Sequence, residues 1–143
     1  MKVEIENGKL RASINFMYDL KLARKQSRMR RRFIDQMQER FLLVEEDRKE
    51  LLKEHSKKDI DGEAIINEEG NFQIEDMDSL GKDLEELYDE KLIIEGGDNR
   101  EMIRSVKEIL RKFEDEEYEG EDSEVYDYLC DTFEIDEEGE IQE

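Results

Sequence analysis

The stretch from Ser27 to Lys57 contains neither proline nor glycine, and this absence restricts the fold more than any other feature of the sequence. Its apolar residues recur mostly at intervals of three, four and seven, the period of an amphipathic helix. They are Met29, Phe33, Ile34, Met37, Phe41, Val44, Leu51 and Leu52. With Ser27 as its N-cap, such a helix would span about 45 Å at 1.5 Å per residue. We expect it to be the spine of a helical hairpin or an interaction surface.

Shorter elements are predicted on both sides of this helix. At the start of residues 2–10, apolar and polar residues alternate up to Asn7-Gly8. This pattern predicts a short strand that ends in a turn with positive φ. The apolar spacing predicts further helices, and one further strand is expected over 91–95. These helices are expected around residues 10–20, 80–88, 98–113 and 122–132.

Two glycine-containing segments predict turns. Residues 61–74 are typical of a β-hairpin in which Gly70 takes the left-handed position, and Ile135–Gln142 nearly repeats the sequence of its second half. We interpret both copies as hairpins of one turn type. The Asp-Gly turn at Asp59–Gly62 resembles part of a calcium-binding loop, but the spacing of its glycine and acids does not fit an EF-hand.

Gly96-Gly97 interrupts the chain ahead of a predicted helix. Asp98, with Glu101 three residues later, is typical of a capping box at a helix N-terminus. A glycine turn at this place could also hold an anion, but the segment lacks the Lys-Ser/Thr of a phosphate-binding loop and Asp98 would repel phosphate. We therefore interpret it as a structural turn.

These patterns predict one α+β domain over residues 1–143 that is predominantly helical. It would contain a long helical hairpin-like spine and two to four short strands or β-hairpins. The apolar stripe of the long helix should face the helix that carries Met102, Val106, Ile109 and Phe113. A chain of 143 residues buries roughly two thirds of its unfolded surface, so a core can form even with 36% hydrophobic residues.

Composition excludes several classes of function. One cysteine, Cys130, excludes a disulfide scaffold, and one histidine, His55, with one cysteine cannot form a structural zinc site. A nucleophile activated by histidine would have to use His55, which lies in a charged helical pattern. We therefore expect no enzymatic activity, no catalytic residues, no cofactor and no metal. A hydrolase or metal site built from carboxylates alone stays open.

Charge is distributed very unevenly along a chain of net charge −20. Residues 1–58 hold 16 bases and 10 acids, whereas residues 59–143 hold 7 bases and 33 acids. Residues 114–143 carry 16 acids and no base, yet apolar and aromatic residues interrupt them, which favours a docked segment over a disordered tail. The candidate partner-binding face is Glu116, Glu117, Tyr118, Glu119, Glu121, Tyr126, Asp127 and Tyr128, with the tyrosines as anchors.

The opposite charge is concentrated between Lys21 and Arg32, where seven of twelve residues are basic. Alone, this run would indicate nucleic-acid binding. In so acidic a chain we favour pairing with an acidic protein surface, either the C-terminal third of the same molecule or another molecule. The alternative site is therefore a basic patch of Arg28, Arg30, Arg31 and Arg32.

Several segments together resemble a known family. They are Met1–Leu10, the basic entry to the long helix, Asp59–Gly70 with its Asp-Gly turn, and Lys91-Leu-Ile-Ile-Glu-Gly-Gly-Asp-Asn. This combination is similar to a family of small proteins, a domain of unknown function, encoded by tailed phages of low-GC Gram-positive bacteria. The resemblance implies a phage accessory protein made in the cytoplasm of the host bacterium. It implies no activity and no functional residues.

Two functions from different classes follow. The first is a small acidic protein-binding module that modulates or inhibits a host protein, such as a defence or nucleic-acid-handling factor, with mimicry of nucleic acid as one version. Its partner would be a basic or nucleic-acid-binding host protein; nucleic acid itself and a membrane are not expected, and self-association stays open. The alternative is a structural or assembly accessory of the phage virion that pairs through its long helix.

Overall fold

The computed structural model describes residues 1–136. Along the chain, strand β1 (Lys2–Glu6) leads through a 3₁₀ turn into helix α1 (Leu10–Tyr18) and then into the long helix α2 (Arg24–Glu54). After a segment of turns come α3 (Met77–Asp89), strand β2 (Lys91–Glu95), α4 (Asn99–Lys112) and α5 (Gly120–Thr132). The fold is α+β and predominantly helical, as the sequence predicts.

The sheet pairs the two predicted strands with each other. β1 and β2 are antiparallel, with Lys2 opposite Glu95 and Glu6 opposite Lys91. Alternation places Val3 and Ile5 of β1 in the core, and Ile94 of β2 joins them. The sequence indicates each strand but not this pairing, because the two strands are separated by three helices.

The core lies where α2 meets the other helices. Helices α1 and α4 each pack against both α2 and α5, so the four form a bundle. The rings of Phe33 on α2 and Phe133 after α5 meet edge to face at 5.3 Å, and both side chains are fully buried. Met102, Val106 and Ile109 of α4 are buried as well, and α4 packs on α2 as the apolar spacing predicts.

Asn7-Gly8 does not form the expected turn with positive φ. Residues 7–9 form one turn of 3₁₀ helix. The Asn7 amide is buried and donates to the Leu87 carbonyl at 2.8 Å, while its Oδ1 accepts a hydrogen bond from Arg40 Nε at 2.9 Å. Asn7 therefore fastens β1 to α3 and to the middle of α2, a tertiary role that a local turn pattern does not reveal.

Residues 55–76, here called the turn segment, contain the predicted hairpin and one further extended piece, joined by isolated β-bridges. Ile66 pairs with Phe72 across a turn in which Gly70 has φ 84°, and Lys58 and Ser56 pair with Ala64 and Ile74. The extended pieces at residues 56–58, 64–66 and 72–74 are thus arranged as a triangle, in which each piece pairs with each of the other two through one β-bridge.

The two turns of this segment share one geometry. The side chain of Asp59 accepts hydrogen bonds from the amides of residues 61 and 63, and that of Asn67 accepts from the amides of residues 69 and 71. Asp59 is therefore engaged in its turn. The similar sequence Ile135–Gln142 falls mostly outside the described residues.

Two helix starts differ from the expected ones. α2 begins at Arg24, whose φ of 49° is left-handed, so Ser27 lies in the first turn and is not the N-cap. The Asp98 side chain makes no capping hydrogen bond to α4, and Glu101 instead forms an ion pair with Lys25 of α2 at 2.7 Å. The prediction of a capping box is therefore wrong, because its glutamate forms an ion pair with a neighbouring helix instead.

Candidate protein-binding surface

Helix α5 has two chemically opposite faces. Val125, Tyr126 and Leu129 turn into the core. The opposite face carries an acidic stripe, Glu121, Glu124, Asp127 and Asp131, all exposed. Their intervals of three, three and four residues keep the carboxylates on one side of the helix over about 15 Å. Burial of the apolar face therefore fixes the orientation of the stripe towards solvent.

The segment between α4 and α5 extends this negative surface. Glu114, Asp115, Glu116, Glu117 and Glu119 are all exposed. Within residues 1–136, no ion pair joins any carboxylate from Glu114 to Asp131 to a basic side chain. The acidic residues of the predicted face thus lie on one continuous, exposed part of the chain.

The tyrosines of the predicted face are placed differently. Tyr126 is only 9% exposed, and its hydroxyl donates to the Leu110 carbonyl at 2.6 Å. The Tyr128 hydroxyl accepts from the Glu6 amide at 2.9 Å, so it holds α5 against β1. Tyr118 is partly buried, with its ring 5.2 Å from that of Phe16. The prediction that these rings anchor a partner is therefore wrong for Tyr126, because its burial leaves too little surface for contact.

Burial also changes the acidity of these phenols. Desolvation raises the pKa of Tyr118, Tyr126 and Tyr128 above the usual value for tyrosine. The three hydroxyls therefore stay protonated at neutral pH, and the negative charge of this region comes from carboxylates alone.

The basic patch divides into engaged and free side chains. Arg30 Nη1 donates to the carbonyls of Met17, Tyr18 and Leu20, so it closes the C-terminal end of α1 and is structural. Arg32 lies beside Met29 and faces the groove between α2 and α4. Arg28 and Arg31 are exposed.

Within one molecule, the expected pairing of the basic run with the acidic C-terminal third occurs at a single acid of that third, and no acid from Glu114 to Asp131 takes part. Among the described residues, the only ion pair of the run joins Lys25 to Glu101, which lies on α4. The exposed bases of the run are therefore available to another molecule.

The groove between α2 and the start of α4 has a volume of about 900 Å³. Four bases and four acids line it: Lys25, Arg32, Arg100 and Arg104 with Asp35, Asp98, Glu101 and Glu108. Because these charges balance, the groove has no net preference for an anion or a cation.

Tyr18 is an exposed aromatic residue that the sequence does not single out. It ends α1 and is 72% exposed, whereas Ser13 and Phe16 of the same helix are buried. Tyr18 stands among apolar residues in the sequence, but the period of the helix places it away from the face that carries Ser13 and Phe16. This helical phase is the signal that could have identified Tyr18 as exposed. Together with Leu42 and Leu43 on α2, Tyr18 belongs to the seven large apolar side chains that are exposed within residues 1–136.

His55 and Cys130 are placed at different helices and have different neighbours. His55 ends α2 and its Nε2 lies 2.6 Å from the Asp83 carboxylate of α3. Cys130 is half-buried on α5, and desolvation raises the pKa of its thiol. Within residues 1–136, no three His, Cys, Asp or Glu side chains are grouped so that they could hold a metal ion.

Comparisons with protein-family models, with curated proteins and with solved structures found no match to this chain. The resemblance to phage proteins therefore stays a prediction from the sequence. In the part of the chain that the structure describes, no helix is both long enough and apolar enough to cross a membrane.

Proposed function

We propose that this chain is a protein-binding module whose acidic stripe on α5, together with residues 114–119, binds a basic protein partner. The proposal includes the setting that the resemblance implies: a phage protein that modulates or inhibits a host defence or nucleic-acid-handling factor in the bacterial cytoplasm. The observation that carries it is the stripe itself, a row of exposed and unpaired carboxylates on a helix whose other face belongs to the core.

The energetics of α5 support this proposal. Glu121–Glu124, Glu124–Asp127 and Asp127–Asp131 are like-charge pairs at helical neighbour spacing, each unfavourable by about 0.2–0.5 kcal/mol. Repulsion within the stripe therefore costs about 1 kcal/mol, offset in part by the helix dipole at Glu121 in the first turn of α5. A basic partner would relieve this repulsion, so the free energy of association gains from charges that weaken the free protein.

The spacing of the stripe also supports mimicry of nucleic acid. Its carboxylates follow one another every 4.5–6 Å along the helix axis, at about 1.5 Å per residue. Phosphates on one strand of duplex DNA follow every ~3.4 Å along its axis. A groove that binds phosphates with lysine and arginine would therefore meet charges of the same sign at comparable density.

The test combines capture with charge reversal. The full chain is used to capture proteins from a lysate of infected host cells, and association with the purified partner is measured at several salt concentrations. The variant Glu121→Lys, Glu124→Lys, Asp127→Lys should associate about tenfold more slowly and with weaker salt dependence, because the steering field is lost. The matched control reverses three exposed acids elsewhere, Glu46→Lys, Glu50→Lys and Glu54→Lys on α2, and should change the rate much less.

Equal association rates for the stripe variant and the control would contradict the proposal. Stoichiometric amounts of the chain in purified virions, without a captured host protein, would instead favour a structural or assembly role. The solvent-exposed length of α2, with Leu42 65% exposed, is the observation that would then matter.

A further inference from the structure

A second stripe, of opposite sign, lies on α2. Arg24, Arg28 and Arg31 are exposed and follow at intervals of four and three residues, opposite the buried side chains of Met29 and Phe33. Within residues 1–136, none of the three forms an ion pair or a hydrogen bond. This basic stripe is an unpartnered helix face.

The position of the basic stripe does not help its own helix. It lies at the N-terminal end of α2, where the helix dipole disfavours positive charge, and the first turn holds no acid. Its neighbouring arginines also repel one another. The basic stripe therefore destabilises its own helix, and carboxylates from another molecule would relieve this repulsion.

The two stripes lie on opposite sides of the fold. α1 and α4 are packed between α2 and α5, and Phe33 meets Phe133 across the core. Each stripe faces away from that core, and within residues 1–136 no ion pair joins the basic stripe to the acidic stripe of the same molecule. The basic stripe can reach the acidic stripe of another copy.

We infer that the protein associates with copies of itself, the basic stripe of α2 in one copy against the acidic stripe of α5 in the next. Both stripes repeat at intervals of three and four residues, so arginines and carboxylates match when the helices lie side by side. Because the two surfaces differ and lie on opposite sides, the contact is heterologous and copies can be added at each end.

Salt provides a distinctive signature. The net charge of −20 makes whole molecules repel each other at long range, where the Debye length is about 30 Å at 0.01 M salt. At about 0.15 M salt the repulsion is screened beyond ~8 Å while charges in contact still attract. At about 1 M salt the attraction is screened too. Association should therefore be strongest at intermediate salt, unlike apolar aggregation, which strengthens as salt rises.

The experiment measures the average mass of the purified full chain by sedimentation equilibrium. At about 0.15 M salt the mass should rise with protein concentration beyond that of a dimer, and it should fall towards that of one chain at 0.01 M and 1 M. A mass that stays that of one chain at every concentration, or one that rises steadily with salt, would overturn the inference.

Neutral variants test the two surfaces separately. Arg28→Gln with Arg31→Gln removes most of the basic stripe, and Glu121→Gln with Glu124→Gln removes half of the acidic stripe. Each variant alone should associate about tenfold more weakly than the unchanged chain, because the matched charges are lost. Mixed together, they should form a complex that stops at two chains, since each keeps one intact stripe. The control Lys49→Gln with Lys53→Gln, on exposed α2 residues, should associate like the unchanged chain.

Variants that associate like the unchanged chain, or a mixture that stays monomeric, would exclude these surfaces. A chain that stays monomeric but binds a DNA duplex through Arg28 and Arg31 would assign the basic stripe to nucleic acid and overturn the inference. The inference does not rest on the proposed function, because the purified chain is measured without a partner. Capture of a host protein by a monomeric chain would support the proposed function alone.

Discussion

The helical bundle and the turn segment are held together by different interactions. In the bundle, large side chains such as Phe33, Phe133 and Met102 are buried completely. In the turn segment, Ile60 is fully exposed and Ile66 is 55% exposed, and backbone hydrogen bonds and the side chains of Asp59 and Asn67 maintain the shape. One chain thus stabilises one region by burial and the other by local hydrogen bonding, and the two should respond differently to the same substitution.

The largest effect is expected for a phenylalanine of the bundle. Phe133→Ala removes a fully buried ring that packs on Phe33, and should lower the free energy of unfolding by about 3–5 kcal/mol. Phe72→Ala is the matched substitution in the turn segment, where the ring is only partly buried, and should cost far less. Denaturant unfolding measures both. Equal losses would show that the turn segment contains a core of its own.

A smaller effect is expected for Tyr126→Phe, which keeps the ring and removes the hydroxyl bonded to the Leu110 carbonyl. The loss should be about 1 kcal/mol at neutral pH. Because burial raises the pKa of Tyr126, the contribution of this residue to stability should be fully present below pH ~10 and be lost as the pH rises further, when the phenol ionises in the unfolded chain but resists ionisation in the folded one.

The same substitution should remove part of this alkaline loss. Tyr18→Phe, at a 72% exposed residue, should leave it unchanged. Unfolding measured at pH 8 and above pH 10 would disprove the assignment if the two variants behaved alike.

The smallest effect on global stability is expected for Asn67→Ala. It removes the acceptor of two amide hydrogen bonds and should destabilise its turn by about 1 kcal/mol. Hydrogen exchange at the amides of Glu69 and Asn71 should become faster, while exchange in α4 stays unchanged, because local opening does not require the bundle to unfold. Faster exchange in both places would mean that the turn segment and the bundle unfold as one unit.

Sequence patterns predict the bundle better than the contacts between distant elements. The prediction that the apolar stripe of α2 faces the core is confirmed, because Met29, Phe33 and Met37 follow the period of the helix and are buried. The role of Asn7, whose partners are Leu87 and Arg40, depends on contacts far apart in the chain. No local pattern encodes such contacts. The predicted capping box at Asp98 is wrong for a related reason, since Glu101 forms an ion pair with Lys25 of α2.

The candidate site shows the same division between charge and aromatic residues. The exposure of Glu121 and Asp127 follows from charge, since a carboxylate without a partner stays in water. A tyrosine is compatible with either side of a helix, because its ring favours burial and its hydroxyl tolerates water. Tyr126, expected to be exposed, is therefore buried, whereas Tyr18, which the sequence does not single out, is exposed. Only the phase of α5 and α1 against the core distinguishes them.

The sulfhydryl of Cys130 makes the chain its own reporter. It is the single cysteine of the sequence, and burial together with the neighbouring carboxylates of Asp127 and Asp131 raises its pKa. The thiolate is the form that attacks thiol reagents, and a raised pKa lowers its fraction, so this cysteine should be modified slowly while α5 remains packed. Because the thiol is only half-buried, it is the increase of the modification rate above that of the packed helix that measures the loosening of α5, in a protein with no added label and no second thiol.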